Sequence, residues 1–169
     1  GLFAASGILF NHEGENRSLT FVTRKITNYV ARLRLAKQEG TVNLIEKLSL
    51  GNLDAKRDWM WAGDATRAMK CILDADKPDD YVVGTGITTS IRDFAKMAFE
   101  QIGENWENHV ITDPSLIRPA EVDYLRANPT KIKEKLGWAP TLSISELCKR
   151  MVEHDIQRVN LKYQNYGDI

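Results

Sequence analysis

The sequence predicts an α/β fold. Three observations carry that prediction. Short apolar runs of strand character alternate with segments of helical period along the 169 residues. Glycines and capping residues punctuate the junctions between them. Strands and helices that alternate in this way favour a layered α/β architecture over an all-α or all-β one.

The elements follow in order. FAASGILF, residues 3–10, is short, apolar and built from small residues, as a buried strand would be. NHEGENRS then supplies polar loop formers. From Phe21 the period becomes helical: Val22, Ile26, Tyr29, Val30 and Leu33 share one face, with Thr20 a candidate cap and Gly40 the expected stop. TVNLIEKLSL fits either a strand or a short helix. After Trp59, the residues Ala65, Ala68, Met69, Ile72 and Leu73 keep helical spacing. KPDD is a turn, and YVVGTG reads as a strand that ends in glycines.

Ser90 and Asp93 are spaced as a capping box ahead of Phe94, Ala95, Ala98, Phe99 and Ile102. HVIT suits one more short strand. Asn128 and Pro129 open a helix that turns Ile132 and Leu136 inward and closes at Gly137. Ser143 and Glu146 cap a last helix carrying Leu147, Met151, Val152 and Ile156. The tail NLKYQNYGDI is polar and aromatic, and is expected to fray or dock on a neighbour.

Composition narrows the function. Apolar residues make up 43% and charged residues 27%, a globular mixture. Lysine plus arginine balances aspartate plus glutamate at 23 each, which speaks against a nucleic-acid partner. Cys71 and Cys148 lie far apart in helical runs without a metal-ligand pattern, so reduced thiols in a cytoplasmic protein are expected. No apolar run reaches the ~20 residues that cross a bilayer, so no membrane partner is expected. The chain opens on Gly1 within an apolar run, so it is expected to enter a longer protein partway.

No GxGxxG follows a strand, and Gly84 and Gly86 have no third glycine in register. Walker, HExxH and serine-elbow patterns are absent from the sequence as well. What stands out is a set of basic loops. Arg24 and Lys25 fall in the first turn of the first helix, where free amides also favour an anion. Arg57 follows the glycine loop of SLGNLDAKRDW, and Arg118 follows a short strand and precedes the stiffening Pro119. Glu121 stands three residues beyond Arg118, spaced to accept a hydroxyl hydrogen. Four such points can converge on one diphosphate, since charge-assisted bonds to phosphate are short and directional. Singly, each is also an ordinary solvated charge.

His12 at a strand end fits a structural hydrogen bond as well as a ligand contact, and Trp59 fits a core as well as a pocket wall. Asp54, Asp58 and Asp64 read as loop and cap residues.

The ordered series GILFNHE, FVTRKI, LGNLDAKRDW, YVVGTG, RPAEVDYL and PTKIKEKLGWAPT resembles the GDP-mannose 4,6-dehydratases, which are extended short-chain dehydrogenases/reductases, from Gly1 to about Val152. LGNLDAKRDW with RPAEVDYL is the specific part; KLGWAPT is common to many extended members. The resemblance implies a longer, NADP-dependent lyase that converts GDP-mannose to GDP-4-keto-6-deoxymannose and water, on the route to GDP-fucose. It implies that this chain is the C-terminal, substrate-binding portion, lacking the glycine-rich N-terminal half of the Rossmann domain. Residues 1–169 would form that portion, with 1–10 and parts of 41–90 lending strands to the Rossmann sheet. The main NADP-binding half would then be absent, and the chain alone inactive.

By position, the resemblance implies that Asn11 meets the substrate diphosphate and sugar, and that Thr23, Arg24 and Lys25 line the GDP pocket. Leu50 and Gly51 would lie near the guanine, Arg57 and Arg118 would bracket the diphosphate, and Glu121 would hold the ribose. His12 would contact the nicotinamide side of NADP, and Arg17 would sit in the loop that reaches the NADP of a neighbouring subunit in a homo-oligomer, dimer or tetramer. It implies no catalytic residue and no metal here.

The chain departs from the family in reading NHEGENRS where NHESPRRG is usual, and Met60-Trp61 after Trp59 where Gly-His is usual. Thr89 stands at a common histidine position, and GTVNLIE contains an insertion. Two other functions fit the motifs: a related NDP-sugar epimerase or dehydratase acting on another nucleotide sugar, and a non-catalytic assembly fragment.

Overall fold

A computed structural model describes residues 1–117, 120 and 122–167, with side chains up to Leu161. In chain order it contains β1 (Ser6–Leu9), β2 (His12–Glu13), α1 (Val22–Glu39), a 3-10 turn (Val42–Leu44), β3 (Leu48–Leu50), β4 (Lys56–Arg57), β5 (Met60–Trp61) and α2 (Ala62–Leu73). Then come β6 (Asp80–Val83), β7 (Thr89–Ser90), α3 (Ile91–Glu100), a 3-10 turn (Trp106–Asn108), β8 (Val110–Thr112), a 3-10 turn (Pro114–Leu116), α4 (Thr130–Leu136) and α5 (Ile144–Gly167). The chain divides into two compact units. One comprises Gly1–Gly14, Lys56–Thr89 and Val122–Leu147; the other comprises Glu15–Ala55, Ser90–Glu121 and Cys148–Ile169.

The first unit is built on parallel pairing. β1 runs parallel to β6, matching Ser6 with Asp80 through Leu9 with Val83. β2 runs parallel to β5, matching His12 with Met60. Parallel strands cannot be joined by a hairpin, and α2 lies in the chain between β5 and β6, one strand of each pair. Its inner face packs Ala65, Ala68 and Ile72 against Met60, Tyr81, Val83, Ile132 and Trp138.

Asp64, in the first turn of α2, ties this core to the chain beyond α4. Its buried carboxylate accepts from Thr141 N at 2.8 Å, Thr141 Oγ1 at 2.7 Å and Arg67 Nη2 at 2.6 Å. Burial pushes this carboxyl upward, but the bonds from Arg67, Thr141 and Leu142 outweigh it and hold the group below its ordinary value. Trp138 Nε1 donates to the Asp64 carbonyl at 3.1 Å, which satisfies the one polar atom of the largest fully buried side chain.

In the second unit, α1 buries Ile26, Tyr29, Val30, Leu33 and Ala36, and α3 buries Phe94, Ala95, Ala98 and Phe99. β3 and β8 pair in parallel, Leu48 with Val110 through Leu50 with Thr112. Tyr29, Phe99 and His109 form an aromatic cluster in which Phe99 and His109 stack at 5.6 Å. From Cys148 onward α5 contributes Cys148, Met151, Val152 and Asp155 to the buried side.

Local signals held where backbone chemistry is explicit. Gly40 ends α1 in the left-handed region at φ 71°, and Gly137 ends α4 at φ 65°. Ser90 caps α3 by accepting from Asp93 N at 3.0 Å, and Ser143 and Glu146 exchange bonds at the start of α5.

Several expectations change. Thr20 does not cap α1: its hydroxyl bonds to Ser18, and Phe21 stands at the cap without a side-chain bond. Asn128 accepts from Thr130 N, so α4 starts later than the Asn-Pro pair suggests. TVNLIEKLSL resolves into a 3-10 turn followed by β3. α5 runs on through Gly167, helical where the sequence suggested a frayed or docked tail. β1 is largely exposed rather than buried, with Ile8 55% accessible. Its apolar run suffices for pairing with β6, but burial also needs a layer on the outer side.

The larger correction concerns the Rossmann domain. The resemblance implies a C-terminal portion lacking the glycine-rich N-terminal half of the Rossmann domain, and the fold corrects this. Here β1 pairs with β6 and β2 with β5 in parallel, with α2 following β5 and preceding β6, a parallel β/α alternation of the dinucleotide-binding type. The missing glycine fingerprint removes a motif and does not decide the topology.

Candidate functional site

In parallel α/β sheets ligands gather outside the carboxyl ends of the strands. In the first unit that edge carries Asn11 and His12 beyond β1 and Gly84–Gly86 beyond β6. The Asn11 carbonyl accepts from Met60 N at 3.0 Å, which fixes its backbone. His12 Nδ1 lies 3.1 Å from the Phe10 carbonyl. A proton on Nδ1 in that bond leaves Nε2 as an acceptor.

The turn after β6 is filled from within. A Cβ on Gly84 would stand 2.4 Å from the Ala127 Cβ, so only glycine permits this approach. Gly86 takes φ +78°. The Ala127 side chain packs against this turn at Gly84. Fit to a nicotinamide cofactor rests on the half-buried polar pair Asn11 and His12.

Arg57 ends β4 and is half-buried; its Nη1 donates to the Lys56 carbonyl at 2.9 Å. Trp59 and Met60 beyond it are core residues. Asp58 between them is fully buried and accepts four hydrogen bonds, from Thr85 N and Oγ1, Gly86 N and Ala127 N. Its sequence position reads as a loop acid, while its partners lie 27 to 69 positions away. Its position between an arginine and a tryptophan in one motif was the available signal.

In the second unit, Thr23 and Arg24 are buried while Lys25 is exposed on α1. Arg24 is fully engaged. Its Nε and Nη2 meet the Asp155 carboxylate at 3.2 and 2.5 Å, and its Nη1 donates to the carbonyls of Glu15 and Arg17. Thr27 Oγ1 donates to the same carboxylate at 2.6 Å. Arg17 itself stacks over Phe21 with its guanidinium carbon 3.5 Å from the ring centroid.

Leu50 is buried at the end of β3, and its carbonyl accepts from Asp113 N at 2.8 Å. Gly51 follows in a tight passage, where a Cβ would lie 2.7 Å from the Leu116 carbonyl oxygen. The structure thus brings Leu50 and Gly51 beside residues 113–117. Arg118 and Glu121 lie outside the described residues.

An open cavity of about 400 Å³ in this unit is lined by Lys96, Glu100, Glu104, Asn105, Trp106 and Glu107. It holds none of the residues singled out above, and its carboxylates disfavour a phosphate. Among the described residues no cluster of His, Cys, Asp and Glu could hold a metal, and no helix is long and apolar enough to cross a membrane.

Comparison with known proteins gives this geometry its context. In fold, the chain matches RMD from Pseudomonas aeruginosa, a structure complexed with NADPH, at TM-score 0.76 and 20% identity over 90% of this chain and 48% of that one. UDP-glucose 4-epimerase from Thermotoga maritima, solved with UDP-glucose, matches at TM-score 0.74 and 23% identity over 92% and 46%. A shared fold over 90% of the chain with the NADPH-complexed structure overturns three expectations: a C-terminal portion lacking the glycine-rich N-terminal half of the Rossmann domain, a function as that substrate-binding fragment, and a main NADP-binding half absent from the chain.

In sequence, GDP-mannose 4,6 dehydratase 1 of Arabidopsis thaliana is 45% identical over 157 residues, which is 93% of this chain and 42% of that protein. The human GDP-mannose 4,6 dehydratase is 42% identical over 173 aligned positions, covering 92% and 45%. The chain therefore spans about half the length of the curated relatives it matches. The family model for GDP-mannose 4,6 dehydratase matches residues 1–151. With parallel β/α architecture and motifs in family order along nearly the whole chain, this protein belongs to the GDP-mannose 4,6-dehydratase family, lyases of the extended short-chain dehydrogenase/reductase type.

Proposed function

We propose that the chain acts in an NADP-dependent GDP-mannose 4,6-dehydratase and takes up the GDP-sugar. Family membership over residues 1–151 carries this proposal. Lys25, Arg57 and Arg118 grip the diphosphate as cations, and Glu121 accepts from a ribose hydroxyl. Leu50 and Gly51, at the end of β3, stand on the guanine side of this reading. Asn11 takes the sugar side. Thr23 and Arg24, both buried, belong to the wall of the same pocket.

When bound, NADP supplies the oxidation and reduction that accompany loss of water from the hexose. His12 serves it by presenting Nε2 as an acceptor, with its ring held through Nδ1 at the Phe10 carbonyl. Arg17 serves the cofactor of a second copy in a homo-oligomer.

Calorimetric titration with GDP-mannose, UDP-glucose and dTDP-glucose tests the proposal. Saturable binding with preference for GDP-mannose is expected. Absence of saturable binding at millimolar concentration, or equal binding of all three, would overturn it.

A further inference from the structure

A buried carboxylate is costly unless it is paired or thoroughly hydrogen-bonded. Asp58 is 0% exposed, and all four of its bonds come from neutral donors. Oδ1 accepts from Thr85 N at 2.9 Å and Thr85 Oγ1 at 2.6 Å. Oδ2 accepts from Gly86 N at 2.8 Å and Ala127 N at 3.1 Å. One side chain thereby joins three separate stretches: the end of β4, the turn after β6, and the strand-like segment at 122–127. Arg126 Nε closes the ring by donating to the Gly86 carbonyl at 2.6 Å.

The residue on the other side of Arg57 is held as firmly. Lys56 N donates to the Asp123 carbonyl at 2.7 Å, and the Lys56 carbonyl accepts from Leu125 N at 3.1 Å. Arg57 is therefore clasped at both neighbours, by a backbone ladder before it and a four-donor carboxylate after it. A long cationic side chain loses much rotamer entropy when it grips an anion. A backbone already fixed in place removes the further cost of ordering the loop.

We propose that Asp58 is the positioning residue for Arg57, setting the backbone from which that arginine reaches a nucleotide diphosphate. The proposal rests on the reading of Arg57 as a diphosphate contact, and it adds a residue that never touches the ligand.

The test compares the wild-type chain with Arg57→Ala, Asp58→Asn and the double variant, using GDP as the probe. Asp58→Asn keeps the shape but turns an amide group toward backbone N–H donors. It is expected to weaken GDP by roughly tenfold, as Arg57→Ala does, in the range for losing a charge-assisted bond. The double variant is expected to bind no more weakly than Arg57→Ala alone, because the carboxylate acts through the arginine. Unchanged GDP affinity in Asp58→Asn, or losses that simply add, would overturn the positioning role.

Amide exchange without ligand separates this inference from the nucleotide reading. In Asp58→Asn, exchange at Arg57, Thr85, Gly86 and Ala127 should quicken while α1 stays protected. Unchanged exchange would overturn the inference, whereas a wild-type chain blind to GDP would sink only the nucleotide reading. Thr85→Val removes a single hydroxyl bond and keeps the test open if Asp58→Asn does not fold. About threefold weaker GDP binding is expected from it, and wild-type affinity would count against the proposal.

Discussion

The guanidinium of Arg24 meets the carboxylate of Asp155 with Nη2 2.5 Å from Oδ1, and 1% of either side chain reaches solvent. A residue of the first helix thus finds its counter-charge 131 positions away on the last. Buried pairs of this kind are costly to break, because the surviving charge is stranded. Asp155→Ala should destabilise the protein by about 3–5 kcal/mol. Arg24→Met with Asp155→Leu should recover most of that loss. Urea unfolding of the single and double variants checks both statements, and a loss below ~1 kcal/mol in Asp155→Ala would contradict the first.

Asp64 predicts an acid-side weakening of the fold. Its folded pKa lies below the ordinary 3.8, so its contribution is fully present above that value. It is lost as the pH falls through the lowered folded value, because the unfolded chain takes up the proton first. Asp64→Asn should flatten the stability profile below pH 3.8 and cost about 1–3 kcal/mol at neutral pH. Denaturant midpoints measured across that range decide it; an unchanged acid slope in the variant would contradict it.

The two thiols should react at very different rates. Burial pushes the Cys148 thiol up to about 12, only partly countered by a bond from Gln101, so almost no thiolate forms at mild pH. Cys71 is partly exposed. A disulfide reagent on the native protein should label Cys71 and reach Cys148 only on unfolding. Equal labelling rates would contradict the buried packing of α5.

Gly51→Ala should damage the fold before it affects any ligand. The added Cβ would meet the Leu116 carbonyl oxygen at 2.7 Å, and backbone on both sides must shift to admit it. A loss of about 1–3 kcal/mol is expected, with faster amide exchange at residues 113–117. An unperturbed melting curve would contradict it.

The balance of what was legible follows from the range of each force. Gly40, Gly137, Ser90 and Ser143 act within a turn of their own position, and their roles could be read directly. The apolar faces of α1 and α3 were legible for the same reason. Thr20 misled because two hydroxyls paired with each other instead of with the helix. The exposure of β1 depends on what lies beside it, which no local pattern encodes. The buried bonds of Arg24 and Asp58 were not legible because their partners sit 131 and 69 positions away. The absence of a glycine fingerprint pointed away from the N-terminal half of the Rossmann domain, yet parallel pairing is set by strand order, not by one loop.

The central claim is that Arg57 and Arg118, with Lys25, hold a nucleotide diphosphate. The most direct measurement is calorimetry of GDP-mannose and of guanosine against the wild type, Arg57→Ala and Arg118→Ala. Each substitution should weaken GDP-mannose by about 1–3 kcal/mol and leave guanosine, which has no phosphates, unchanged. Wild-type affinity for GDP-mannose in both variants would contradict the claim.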